Sequence, residues 1–296
     1  MKRTQWMPRG AGYGLALLLL VSLVAAGASG CTVWRMRQAA LLASQSEPFE
    51  QQGGAAFAPA GRLLVVGDST AVGTGASSAQ SSVAGLIGRD HPGLSVTNLA
   101  RDGARFVDIA AQLRGTERYD VVLVLGGGND VIRLTSHERM VDGVRRTLAA
   151  AGQKASVVIF MPSGNVGNAP FFFPPWSWLM TRRSRDLHDI ARRQAAHTGA
   201  IYVNAFAARQ VDPFAQEPKR FNAADGLHPS DAGYALWYEA LNRQAKLGER
   251  LKSLGSGPQA IRASGPVASR VSAGFDDPVP AAPAMDRAAE IVRPPA

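Results

Sequence analysis

The sequence predicts an α/β protein whose central sheet is mostly parallel and covered by helices on both faces, and three observations predict it. Short β-branched runs recur along residues 62–254, each is followed by a longer segment of helical spacing, and most of the runs are apolar on both faces. The predicted strands are Leu63–Val66, Ser95–Asn98, Val121–Leu125, Val157–Phe160 and Ile201–Val203. The helical segments are Ser78–Arg89, Arg105–Leu113, Glu138–Ala151, Trp178–His197 and Asp231–Leu247. Five strands in this alternation make a five-stranded sheet. Such sheets carry their sites at the carboxyl ends of the strands, so polar residues at those ends are the ones to inspect.

The 296 residues are 46% hydrophobic and 19% charged, which suits one sizeable domain with extensions and excludes wholesale disorder, collagen and coiled coil. A single cysteine, Cys31, leaves no intrachain disulfide framework and no cysteine-based zinc site. The net charge of +9 invites a nucleic-acid reading, but its distribution opposes one. Residues 62–254 hold 23 basic and 17 acidic side chains with the signs interspersed, so no nucleic-acid partner is expected. No internal repeat is present.

Four segments follow. Residues 1–34 open with Lys2, Arg3 and Arg9 and then run without a formal charge from Gly10 to Trp34. As a helix that run is about 37 Å long, enough to cross a bilayer, and the basic start would stay in the cytoplasm. A signal anchor is therefore expected, with a lipoprotein signal at Ala28-Ser29-Gly30-Cys31 and a cleaved secretory signal as alternatives. Each of them puts the body at the membrane, facing the periplasm or cell exterior, or secretes it. Residues 35–61 are expected to be a tether, 62–254 the folded body, and 255–296, with seven prolines, a disordered tail.

Four polar motifs fall at strand ends or helix starts. Gly67-Asp68-Ser69 closes the first strand, where a hydroxyl beside free backbone N–H groups suits a nucleophile that must generate an oxyanion; taken singly it is also an ordinary turn and helix cap. Gly103 follows the second strand, with an N–H free to donate or simply a turn to make. Gly126-Gly127-Gly128-Asn129-Asp130 ends the third, where the Asn129 amide can lean over the sheet edge; no Lys-Ser or Lys-Thr follows, so a phosphate loop is not expected. Asp225-Gly226-Leu227-His228 precedes the last helix, a spacing at which the carboxylate can fix the imidazole tautomer, or form an Asx turn.

In this order and spacing the four motifs resemble those of the SGNH (GDSL-type) hydrolases, over nearly the whole body from Arg62 to about Gln244. The resemblance implies a three-layer α/β/α fold and a catalytic triad of Ser69, His228 and Asp225. It also implies an oxyanion hole made by the backbone N–H groups of Ser69 and Gly103 with the Asn129 side chain. The implied activity is ester hydrolysis, esterase- or lipase-like, through an acyl-enzyme, with no metal or other cofactor. The substrate would be an acyl or acetyl ester of a lipid, a glycan or a small alcohol. An acyl- or acetyltransferase with the same triad and a non-catalytic envelope-binding protein are the alternatives.

Two further features bear on substrate. Phe171, Phe172, Phe173 and Trp176, with Trp178, crowd a proline-rich loop, either as an acyl-binding wall or lipid-touching surface or as ordinary core. Arg182, Arg183, Arg185, Arg192 and Arg193 follow on a basic helix, a solvated face or one that sits against anionic lipid. His91, His137, His188 and His197 have no ligand-like spacing and are expected at the surface or in caps, so no metal site is expected.

Overall fold

Strand β3 (Val121–Gly126) is buried throughout, offering Val121, Leu123 and Leu125 to one face of the sheet and Val122 and Val124 to the other. Only a strand covered on both sides accommodates that pattern. The computed structural model describes residues 33–53 and 59–255, with isolated positions at 18, 19, 22 and 30. β1 (Gly61–Gly67) and β4 (Val157–Pro162) flank β3, β2 (Leu94–Asn98) lies outside β1, and β5 (Ile201–Tyr202) lies outside β4. All neighbours pair in parallel, so the predicted fold class and strand count hold. Val203 extends the last ladder by donating to the Phe160 carbonyl at 2.9 Å.

Among the described residues the helices are α1 (33–45), α2 (Ser69–Val72), α3 (Val83–Asp90), α4 (Phe106–Gln112) and α5 (Gly128–Ile132). They continue with α6 (His137–Lys154), α7 (Trp176–Thr198), α8 (Pro213–Gln216), α9 (Pro218–Phe221), α10 (Asp231–Ala245) and α11 (Leu247–Gly255). α3, α10 and α11 pack Ile87, Leu241 and Leu251 on the face that carries Leu63, Val65 and Leu123. α4, α6 and α7 pack Ile109, Leu148 and Ile190 on the face that carries Leu64, Val66 and Val124. The result is three layers, α/β/α.

Two predicted helices differ in extent for local reasons. The segment from Ser78 begins as a 3₁₀ turn over Ala79–Ser81, and α3 starts only where the Ser82 side chain caps it by accepting from the Gly85 N–H. The last segment breaks at Lys246, which is left-handed with φ 51°, and resumes as α11.

The expected tether also differs. Residues 33–45 are helical, Phe49 packs against the core at Gly88, and Gln51 forms an antiparallel bridge with Val96 of the edge strand β2. Its side chain also donates to the Leu94 carbonyl at 2.8 Å. The charge-free run 10–34, apart from isolated positions and its last two residues, lies outside the described residues, as does the tail from 256. Among the described residues no helix is long and apolar enough to cross a membrane.

Candidate active site

The strand order β2-β1-β3 places the ends of β1 and β3 side by side at the point where the chain's direction of travel across the sheet reverses. β1 ends at Gly67, where a Cβ would lie 1.8 Å from the Leu125 carbonyl oxygen, so only glycine lets the two strands approach. The Gln112 side chain from α4 holds both polar groups of Gly67, accepting from its N–H at 2.8 Å and donating to its carbonyl at 2.9 Å. Asp68 then caps α2, accepting from the Thr70 N–H at 2.9 Å and the Thr70 hydroxyl at 2.7 Å. Ser69 is thereby set on the first turn of α2, its own N–H without a protein acceptor among the described residues.

β3 runs out through Gly126 into Gly127, which is left-handed (φ 102°) and whose Cβ would strike Phe106 and Leu187. α5 starts immediately, with Asn129 in its first turn. One N–H of the Asn129 amide goes to the Ala104 carbonyl at 3.2 Å, leaving the other for a ligand. The remaining oxygen of Asp68 accepts from the Gly127 N–H at 3.1 Å, so one buried carboxylate ties the Ser69 turn to the Asn129 turn.

The third component comes from the loop before α10. One Asp225 oxygen accepts from the N–H groups of Leu227 and His228 at 2.9 and 3.1 Å. The other faces His228 Nδ1 at 2.5 Å, and His228 Nε2 lies 2.9 Å from Ser69 Oγ. The carboxylate can only accept, so Nδ1 carries the proton and Nε2 accepts from the serine hydroxyl. Burial opposes ionisation of Asp225, but the hydrogen bond and charge of His228 outweigh it and hold the carboxyl below its usual 3.8. Asp68 shows the opposite balance, burial pushing it above 3.8 because the donors from Thr70 and Gly127 offset only part of the cost.

Ser69, Asn129 and His228 line one cavity of about 100 Å³, whose walls include Ile132, Val166, Leu227 and Trp237. Gly103 does not line it. It stands in a left-handed turn (φ 73°), its N–H without a protein acceptor among the described residues, one residue before the carbonyl that holds Asn129.

Phe171, Phe172, Phe173 and Trp176, expected to contact substrate, stand outside the lining of this cavity. Phe172 and Phe173 border a separate groove, and the Phe171 N–H donates to the Gly226 carbonyl at 2.9 Å, bracing the Asp225–His228 turn from behind. Prolines on either side turn this loop away from the sheet edge, which spacing alone does not show.

His188 is a second correction. It is buried, not superficial: Nε2 meets the Ser163 carbonyl at 2.9 Å and Nδ1 the Tyr202 hydroxyl at 2.7 Å, and burial lowers its pKa to about 4. The surrounding helical stripe of Ser184, Leu187 and Ala191 carried that signal. Asp68 and Ser163 were also overlooked as positioning groups; Ser163 Oγ accepts from the Gly128 N–H at 2.9 Å. Among the described residues no cluster of His, Cys, Asp and Glu is arranged to hold a metal.

A three-layer α/β/α body with a serine, an imidazole and a carboxylate in one hydrogen-bonded line at the strand ends has the build of a serine hydrolase. The profile of the GDSL-like Lipase/Acylhydrolase family matches residues 65–236, more than half of the chain. The chain belongs to that family and is an ester-bond hydrolase of the SGNH type. Among solved structures it is similar to LAE5, an α/β hydrolase from the metagenome of Lake Arreo, Spain. That match has 21% identity and a TM-score of 0.51, covering 65% of this chain and 98% of that one. It is also similar to a member of the lipolytic protein G-D-S-L family from Veillonella parvula, with 13% identity and a TM-score of 0.50 over 62% of this chain and 96% of that one. At these identities the likeness is one of fold. No curated protein matches the chain.

Proposed function

We propose that this protein is a serine esterase that cleaves short acyl or acetyl esters through an acyl-enzyme, tethered to a membrane with its body outside the cytoplasm. The observation that carries the chemistry is the unbroken line from Asp225 through His228 to Ser69 at the wall of a small cavity. Ser69 Oγ attacks the ester carbonyl as His228 Nε2 takes its proton, and Asp225 stabilises the imidazolium. The tetrahedral oxyanion takes hydrogen bonds from the N–H groups of Ser69 and Gly103 and from the free N–H of Asn129, each contributing about 3–4 kcal/mol in comparable sites. The C–O bond to the alcohol breaks, His228 returns the proton to the leaving oxygen, and water repeats the sequence on the acyl-serine. A cavity of about 100 Å³ walled by Ile132, Val166 and Leu227 suits a short acyl group rather than a long chain.

Incubation with p-nitrophenyl esters of graded length, followed by intact-protein mass spectrometry, tests this reading. An acyl adduct on Ser69 and the fastest turnover with acetate to butyrate are expected. Product appearing only when a sugar or lipid alcohol is added would make the protein a transferase. The tether rests on the charge-free run 10–34 behind Lys2, Arg3 and Arg9. Cell fractionation with protease accessibility of the body checks it, and a soluble cytoplasmic body with an intact N-terminus would sink it.

A further inference from the structure

A larger cavity, of about 720 Å³, borders the catalytic one, with Ala169 part of both walls. Four arginines converge on it, Arg35 from α1, Arg182 and Arg185 from α7 and Arg209 from the loop after β5, and no acidic side chain lines it. The guanidinium groups of Arg35 and Arg185 rest on the rings of Phe173 and Phe206 at 4.8 and 5.7 Å from the centroids. Among the described residues Arg182 and Arg209 take part in no ion pair, while Arg192 further along α7 is paired with Asp189 at 2.8 Å. Converging cations without a counter-ion repel one another, and an anion seated among them removes that penalty.

The rim of the groove is apolar and faces solvent. Trp178, 70% exposed, and Phe173, 48%, line the groove, and Trp176, 58% exposed, lies next to them in the chain without lining it. Trp34, 54% exposed, and Arg35 share a shallow depression with Pro170 and Pro218, which also line the groove, so the patch continues onto α1. Tryptophans interleaved with arginines are the composition of a surface that lies at the boundary between headgroups and acyl chains. α1 is also the direct continuation of the charge-free run 10–34, so this is the side of the body that chain would present to a bilayer.

We propose that the groove seats phosphate headgroups of anionic phospholipid and so holds the body flat on the membrane, with the catalytic cavity next to the lipid surface. This rests on the membrane-tethered reading given above. It also gives the aromatic loop a role separate from acyl binding: the rings anchor at the interface, the arginines take the phosphates, and the ester enters beside them.

The full chain in neutral detergent micelles is mixed with phosphatidylglycerol or phosphatidylcholine carrying brominated acyl chains, and tryptophan quenching is followed. Quenching should reach half-maximum at a mole fraction of phosphatidylglycerol lower by at least about tenfold than that of phosphatidylcholine. Arg182→Gln/Arg185→Gln/Arg209→Gln should abolish that preference while leaving turnover of a soluble ester unchanged. Equal quenching by the two lipids, or an unaltered preference in the triple variant, overturns the proposal. Water-soluble glycerol phosphate should not displace the lipid at equal phosphate concentration; full displacement would make the groove a site for a free phosphoester and overturn the membrane role. Sedimentation with pure phosphatidylcholine vesicles reports on the N-terminal tether alone. A chain that fails to sediment there yet keeps its arginine-dependent preference loses the tether and retains the groove.

Discussion

Asp225 and Asp68 stand on either side of Ser69, are almost completely buried, and each accept three hydrogen bonds, yet their ionisation is pushed in opposite directions. Burial penalises the charge at both. At Asp225 the hydrogen bond and charge of His228 overturn the penalty; at Asp68 the neutral donors of Thr70 and Gly127 do not, even with the charge of His228 acting from outside hydrogen-bond contact. A buried carboxyl is thus held below its ordinary value by a hydrogen-bonded imidazole and not by amides and hydroxyls alone. The first arrangement supports proton transfer; the second braces two turns. Which is which follows from the hydrogen-bonded partner together with the burial that each carboxyl must offset.

The largest expected effect isolates the group both carboxylates serve. Ser69→Ala should lower kcat by about 10⁴–10⁶-fold with melting nearly unchanged, since the alanine leaves the turn and its cap intact. Near-normal turnover in the folded variant would falsify the nucleophile. Asp225→Asn should cost about 10⁴ in kcat, because an amide at this position reverses the His228 tautomer. If Asp225 were only a brace, this substitution would instead act through stability and leave turnover per folded molecule intact. Asn129→Ala comes next, with a loss of about 10²–10³ in kcat and little change in KM, since the amide meets charge that exists only in the transition state.

Gly226→Ala is a gentler probe of the braced loop. Its φ of 68° strains any side chain, and the new Cβ would press on Pro170 at 3.3 Å. A loss of about 1–2 kcal/mol in urea unfolding is expected, with a smaller loss in rate. The smallest effect separates the carboxylates by sign. The stability supplied by Asp225 is fully present above 3.8, the unfolded value, and is lost as pH falls through the lower folded value. Asp68 binds its proton more tightly when folded, so its contribution is lost as pH rises from 3.8 through the higher folded value. Melting temperatures of wild type, Asp225→Asn and Asp68→Asn across that range should give difference curves of opposite slope, and parallel curves would erase the distinction.

The strands were legible because β-branched residues at Leu63–Val66 and Val121–Leu125 leave no other way to bury both faces, and the four polar motifs followed from their ends. Ser69 and Asn129, placed at strand ends, and His228, from the loop before α10, line one cavity, with Asp225 behind His228. The remainder depended on contacts between distant segments. Nothing in the spacing of Phe171–Trp176 says which way two prolines turn the loop, and the hydrogen bond from Phe171 to Gly226 spans two loops with no periodicity of their own. For His188 the signal lies in its neighbours, since a histidine alone on a helix reads the same whether its face meets water or Ser163 and Tyr202, and only the stripe of Ser184, Leu187 and Ala191 marks that face as buried. The break at Lys246 is equally silent, since a left-handed lysine has no composition signal.

The pairing of Gln51 with Val96 protects the molecule from itself. β2 is the outermost strand on its side, and an unpaired flank of that kind is a template on which a second chain can add a strand. Gln51 occupies the middle of that flank with two backbone hydrogen bonds, at 3.0 and 2.8 Å, while its side chain takes the Leu94 carbonyl beside them. Residues 46–53 therefore act as a plug against self-association as much as a connection to the N-terminus. A chain shortened to begin at Arg62, the natural choice for a soluble enzyme, would keep every reacting group and lose its guard against aggregation.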